Sequence, residues 1–185
     1  MQVNDIGLGV LEIAPGKFGD ARGFFAEAWQ RQRFHEAGIT QDWMQDNHSF
    51  SAEPYILRGL HFQLAPHAQD KLVRVLRGSI FDVAVDIRPG SPSFGKWLSR
   101  VISAAAFNQI LVPKGFAHGF LTLEPNVEVL YKVSAPYAPE CDRSIAWNDP
   151  ALAIAWPLEA GQQPILSAKD ATAAPLAALS PELRF

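Results

Sequence analysis

Four side chains stand out by type and setting as candidates for chemistry. His61 lies in Leu57-Arg58-Gly59-Leu60-His61-Phe62-Gln63, a stretch otherwise built for burial. It reads either as a hydrogen-bonded core histidine or as a general base, since imidazole is the side chain most easily poised near neutral pH. His118 stands in Pro113-Lys114-Gly115-Phe116-Ala117-His118-Gly119-Phe120, where two glycines bracket a turn into a strand. There it is either a polar residue closing the turn or a second site histidine. Lys71 could stabilise negative charge developing on an enolate or phosphate oxygen, or simply face solvent from its strand. Tyr131, in Val127-Glu128-Val129-Leu130-Tyr131-Lys132, shares the apolar side of a period-two segment with Val127 and Val129. It is a core tyrosine or a general acid.

The elements that must position these groups read as short strands. Phe81, Val83, Val85 and Ile87 alternate with smaller or acidic residues, the two-residue period of a sheet with one face in the core. Lys71 to Leu76 precedes it through Arg77-Gly78-Ser79, which predicts a hairpin between the two strands. Further strands are expected at Val10 to Ile13, Phe24 to Trp29, Met44 to Phe50, Ile56 to Gln63, Trp97 to Ile102, Gln109 to Val112, Gly119 to Leu123 and Val127 to Ser134. Turns separate them, among them Gly16-Lys17-Phe18-Gly19-Asp20, Pro89-Gly90-Ser91-Pro92 and Glu124-Pro125-Asn126. One helix is expected over Gln30 to Ala37, stopped by Gly38. After Trp156-Pro157 the chain becomes rich in Ala and Pro, which reads as an irregular tail packed on the sheets. The expected fold is all-β, a jelly-roll-like sandwich or barrel in a single domain spanning residues 1–185.

Composition narrows the function classes. The 185 residues carry 16 Lys plus Arg against 19 Asp plus Glu, a net charge of −3, with no basic run to track a nucleic-acid backbone. No apolar stretch approaches the roughly 20 residues of a bilayer-spanning helix. No signal peptide is visible at Met-Gln-Val-Asn-Asp-Ile, and Cys141 is the only cysteine, so a cytoplasmic protein is expected.

The Pro-x-Gly-x-x-His pattern from Pro113 to His118 resembles the second motif of the cupin superfamily. Metal-binding cupins also carry a His-x-His and a Glu in the first motif. Here that stretch reads His61-Phe62-Gln63, with Lys71 at about the place of the carboxylate. An ammonium beside a divalent ion would be strongly repulsive. His67 is poorly spaced as a substitute ligand, so no metal and no cofactor are expected.

The same segments, taken in order, resemble the dTDP-4-dehydrorhamnose 3,5-epimerase family. They are Asp20-Ala21-Arg22-Gly23-Phe24-Phe25-Ala26-Glu27, Gln45-Asp46-Asn47-His48-Ser49, Leu57 to Gln63, Lys71 to Val75, Phe81 to Ile87, Val112 to Phe120, Leu130-Tyr131-Lys132, Tyr137-Ala138-Pro139-Glu140, Ile145 to Pro150 and Leu166-Ser167-Ala168-Lys169-Asp170. The resemblance implies a metal-free cupin-type homodimer that epimerises a dTDP-linked 4-keto-6-deoxy sugar at C3 and C5, in dTDP-rhamnose biosynthesis. It implies His61 as the base, Asp170 as the carboxylate on its other ring nitrogen, Tyr131 as the acid on the opposite face and Lys71 beside the C4 oxygen. It further implies substrate contacts for Arg22, Glu27, Gln45, Asn47, Arg58, His118, Asp142 and Lys169. A single-carbon epimerase, a metal-dependent cupin and a non-catalytic sugar-nucleotide binding module are the competing readings.

Strict alternation places Arg58 and His61 on opposite faces of one strand, whereas the implied roles need both at the pocket. Gly59 lies between them, which predicts a bulge or local twist there.

Overall fold

A computed structural model describes residues 1–179 and 183–185. Two sheets face one another. The first has the order β1 (Gln2–Gly7), β2 (Val10–Ala14), β10 (Gln109–Val112), β7 (Lys71–Arg77), β12 (Val127–Val133), β5 (Gln45–Ser51). The second has the order β13 (Asp142–Ser144), β6 (Leu57–Gln63), β11 (Phe116–Thr122), β8 (Ser79–Asp86), β9 (Trp97–Ser103). A separate hairpin pairs β3 (Lys17–Asp20) with β4 (Gly23–Ala26). All strand pairs within these sheets are antiparallel, the jelly-roll arrangement expected of the sequence.

The interior between the sheets is filled by side chains of alternate parity from both. Val73, Val75, Ile110, Val127 and Val129 come from the first sheet, and Ile80, Ala84, Ile102, Phe116 and Phe120 from the second. The outer face of the first sheet is covered by Phe34 and Ile39, from and just beyond α1 (Arg31–Glu36), against Ile13, Leu72 and Leu111. Gln30 caps this helix by accepting the Arg33 amide at 2.7 Å. The outer face of the second sheet is covered by the C-terminal segment, through Trp156, Leu176 and Leu183. That segment is mostly irregular but includes two one-turn helices, α2 (Ala168–Ala171) and α3 (Leu176–Leu179).

Three local expectations are corrected. Lys71 to Leu76 and the following strand do not form a hairpin: β7 and β8 belong to different sheets. At Gly78, with φ +79°, the chain crosses from one sheet to the other, and a side chain there would meet Val127 at 2.8 Å. The segment Lys17 to Asp20, expected as a turn, is strand β3, with its turn displaced to Ala21-Arg22. Finally, β8 is buried on both faces. Phe81, Val83, Val85 and Ile87 pack under the C-terminal segment, so the smaller and acidic set, including Asp82, points between the sheets instead of into water. Among the described residues no helix is long and apolar enough to cross a membrane.

Candidate active site

The bulge expected at Gly59 is present. Between the pairs His118↔His61 and Phe120↔Arg58, β6 advances three residues while β11 advances two. Leu57, Leu60 and Phe62 pack outward, and Arg58 and His61 both line the interior. Gly59 has φ +129°, and a Cβ on it would lie 2.5 Å from the Gly119 Cα, so two glycines permit the strands to close at this point.

Arg58, His61, Lys71, His118, Tyr131 and Asp170 share the wall of one cavity of about 420 Å³. An adjoining cavity of about 290 Å³ is lined by Gln45, Asn47, Tyr137 and Asp142, and shares His61, Lys71 and Tyr131 with the first. Six strands and one turn of helix therefore converge on a single two-lobed recess.

His61 Nε2 lies 2.5 Å from Asp170 Oδ1. Asp170 comes from α2, where Ser167 caps the turn and donates its hydroxyl to Oδ2 at 2.8 Å. Burial pushes the Asp170 carboxyl up, but hydrogen bonds from His61, Ser167 and the Gly59 amide outweigh it and hold the group below the usual carboxylate range. An ionised partner on Nε2 fixes the ring and leaves Nδ1, on the recess side, without a protein partner among the described residues and able to accept a proton.

Lys71 is buried, and its Nζ donates to the His61 carbonyl at 3.1 Å. Burial lowers its pKa to about 8, against the opposing charges of Asp142 and Asp82 and with a small further push from Lys169. Tyr131 reaches the recess from β12; burial raises its phenol, Asp142 adds to this and Arg58 opposes it. A phenol so placed keeps its proton at neutral pH and can give it up only to a strong base such as a carbanion.

His118, the cross-strand neighbour of His61, has its own carboxylate: Nε2 lies 2.8 Å from Asp82 Oδ2. Asp82 went unnoticed in the sequence because an acidic residue alternating with apolar ones reads as the solvent face of a strand. Gln63, in the place of a second cupin histidine, is a buried brace: its amide donates to the His67 and Pro136 carbonyls and accepts from the Ala138 amide. Among the described residues no group of three or more His, Cys, Asp or Glu could hold a metal ion.

The remaining expected contacts divide. Gln45 donates to Asn47 Oδ1 at 2.7 Å and accepts from the Tyr137 amide at 3.0 Å, which ties the second lobe to β5. Lys169 bonds Asp142 Oδ2, which also accepts from the Tyr137 hydroxyl at 3.2 Å, so the three sit together at the rim. Glu27 lines a different cleft, on the outer face of the first sheet, and pairs with Arg33 at 3.2 Å. Arg22, at the tip of the β3–β4 hairpin, is 90% exposed and among the described residues bonds only Asp20; a single chain does not bring it to the recess.

Comparison with known proteins places this geometry. Residues 7–178 match the family model described as dTDP-4-dehydrorhamnose 3,5-epimerase. The chain is 52% identical over 162 residues to the Escherichia coli K12 dTDP-4-dehydrorhamnose 3,5-epimerase, covering 87% of this chain and 86% of that one. It is 49% identical over 160 residues to the Sinorhizobium fredii protein of the same name, covering 86% and 81%. A crystal structure of a dTDP-6-deoxy-D-glucose-3,5-epimerase from Legionella pneumophila Philadelphia 1, in complex with dTDP-4-keto-L-rhamnose, superposes with a TM-score of 0.93 at 45% identity, covering 100% of this chain and 98% of that one. With the family's motifs in order along the chain and its jelly-roll closed around them, this protein belongs to the dTDP-4-dehydrorhamnose 3,5-epimerase family.

Proposed function

We propose that this chain converts dTDP-4-dehydro-6-deoxy-D-glucose to dTDP-4-dehydro-L-rhamnose by inverting C3 and C5, a step of dTDP-rhamnose biosynthesis. The observation that carries the reading is the convergence of the His61–Asp170 pair, Lys71 and Tyr131 on one recess. Both reacting carbons flank the C4 ketone, so removal of either proton yields an enolate. His61 Nδ1 takes the proton, and Asp170 supports the imidazolium that results. Lys71 presents an ammonium to the C4 oxygen, where the negative charge collects. Tyr131, on β12 of the opposite sheet, returns a proton from the other face of the ring, which inverts the centre.

Gln45, Asn47, Arg58, His118, Asp142 and Lys169 hold the sugar and diphosphate in this reading, with the Arg58 guanidinium suited to phosphate oxygens. Arg22 and Glu27 join them from a second copy of the chain. The exposed β3–β4 hairpin, with Phe18, Phe24 and Phe25 all turned to solvent, favours a homodimer in which the hairpin is covered. The whole chain acts as one domain, in the cytoplasm.

Proton NMR of the 4-keto sugar nucleotide incubated with the protein in deuterium oxide tests the reaction. Deuterium at both C3 and C5 is the expected result. Incorporation at one carbon assigns a single-carbon epimerase, and none at either refutes the epimerase reading.

A further inference from the structure

Asp82 is a fully buried carboxylate on β8, directed between the sheets. Its two oxygens differ: Oδ2 faces His118 Nε2, while Oδ1 is buried with no hydrogen-bond partner among the described residues. Arg100, opposite Asp82 in register on β9, commits its guanidinium to Glu12 at 2.6 and 2.9 Å. Asp86, four residues along the same strand, shows what a carboxylate serving the fold looks like here. Both its oxygens are used, by Arg88, Ser91 and Ser93. An unpaired oxygen on a buried carboxylate is costly and adds nothing to packing. Its place behind His118, which lines the recess, gives it another use.

His118 and His61 are cross-strand neighbours lining the same cavity, and each is held through Nε2 by a buried carboxylate from a different element. For His118 the bond from Nε2 to Asp82 leaves Nδ1 without a protein partner among the described residues. We propose that Asp82 is a positioning residue: by accepting the Nε2 hydrogen of His118 it fixes that ring with Nδ1 facing the recess as a hydrogen-bond acceptor for a sugar hydroxyl beside the ketone. The identity of the hydroxyl rests on the epimerase reading; the fixed ring does not.

The same carboxylate acts on Lys71. That ammonium is faced by Asp82 from β8, Asp142 from β13, Lys169 from α2, the His61 carbonyl and ring from β6, His118 from β11 and Tyr131 from β12. Asp82 is one of the two negative charges that favour its protonated form, so removing the Asp82 charge moves the Lys71 titration to lower pH.

Two measurements test this. Nitrogen-15 NMR of histidine-labelled protein, with the His118 signal assigned by its loss in His118→Asn, should show the proton on Nε2 of His118. A proton on Nδ1 overturns the proposal, whether or not the protein turns over. Asp82→Asn, close in shape, should lower kcat for deuterium exchange about 100-fold. It should change KM by less than about threefold and displace the alkaline limb of the pH–rate profile to lower pH. A lower kcat with an unmoved limb and a lower Tm would assign Asp82 to the fold alone and overturn the proposal. Wild-type protein without exchange would instead defeat the epimerase reading, and the NMR result would still decide the role of Asp82.

Discussion

Replacing Asp170 by Asn removes one charge from the site while keeping its shape. Asp170 Oδ1 is 2.5 Å from His61 Nε2, and the carboxylate is 3% exposed. Asn can still accept the ring N–H through Oδ1 and offer its amide to Ser167, so packing is preserved. What disappears is the attraction between the carboxylate and the imidazolium created when His61 takes a proton. With charge centres about 4 Å apart and an effective dielectric constant near 20, that attraction is about 4 kcal/mol, or roughly three powers of ten in rate. Initial rates of deuterium entry at C3 and C5, followed by NMR, should therefore fall about 1,000-fold, with KM nearly unchanged because both Asp170 oxygens are already engaged, by His61 and Ser167. Circular dichroism and the urea midpoint verify that the variant folds. The carboxyl is held below its unfolded value, so its ionisation stabilises the wild type above about pH 4 and that contribution fades as pH falls further. The Asn variant lacks this acid-sensitive part. A folded Asp170→Asn protein exchanging within about tenfold of wild type would refute the assignment of His61 as a base supported by Asp170.

Three further outcomes follow from the same geometry. Lys71 titrates at about 8, so exchange should decline as pH rises through that value and the ammonium is lost; a rate that stays level to about pH 10, the ordinary lysine range, would remove Lys71 from the reaction. Tyr131→Phe should slow net inversion while leaving KM close to wild type, and an equal loss in kcat and affinity would give the ring a packing role only. Gly59→Ala forces a Cβ to 2.5 Å from the Gly119 Cα at φ +129° and should cost about 3 kcal/mol of stability in urea titration. A variant as stable as wild type would show that the β6 bulge does not depend on glycine.

Most of the strands were legible in the sequence, because period-two alternation and turn residues are local signals that need no knowledge of what packs opposite; Gln2–Gly7, Lys17–Asp20 and Asp142–Ser144 carry too little of that signal. The roles implied by the family resemblance, set against strict alternation, also placed the bulge at Gly59, since Arg58 and His61 could not otherwise share a face. The ordered motifs carried the family. The tertiary structure decided which strands pair and which faces are wet. The Gly78 crossover sends β7 and β8 to different sheets, although a short Gly-containing link between alternating strands reads as a hairpin. Asp82 looked solvent-facing because alternation records only a difference between two faces. Coverage of β8 by Trp156, Leu176 and Leu183, roughly 70 to 100 residues later in the chain, turned its polar face inward. Asp170 shows the same limit most directly: in the chain it is one acidic residue in an Ala- and Pro-rich tail, 109 positions from His61. Only the return of that tail across the second sheet makes it the partner of His61, and an interaction set by chain return leaves no mark on local periodicity.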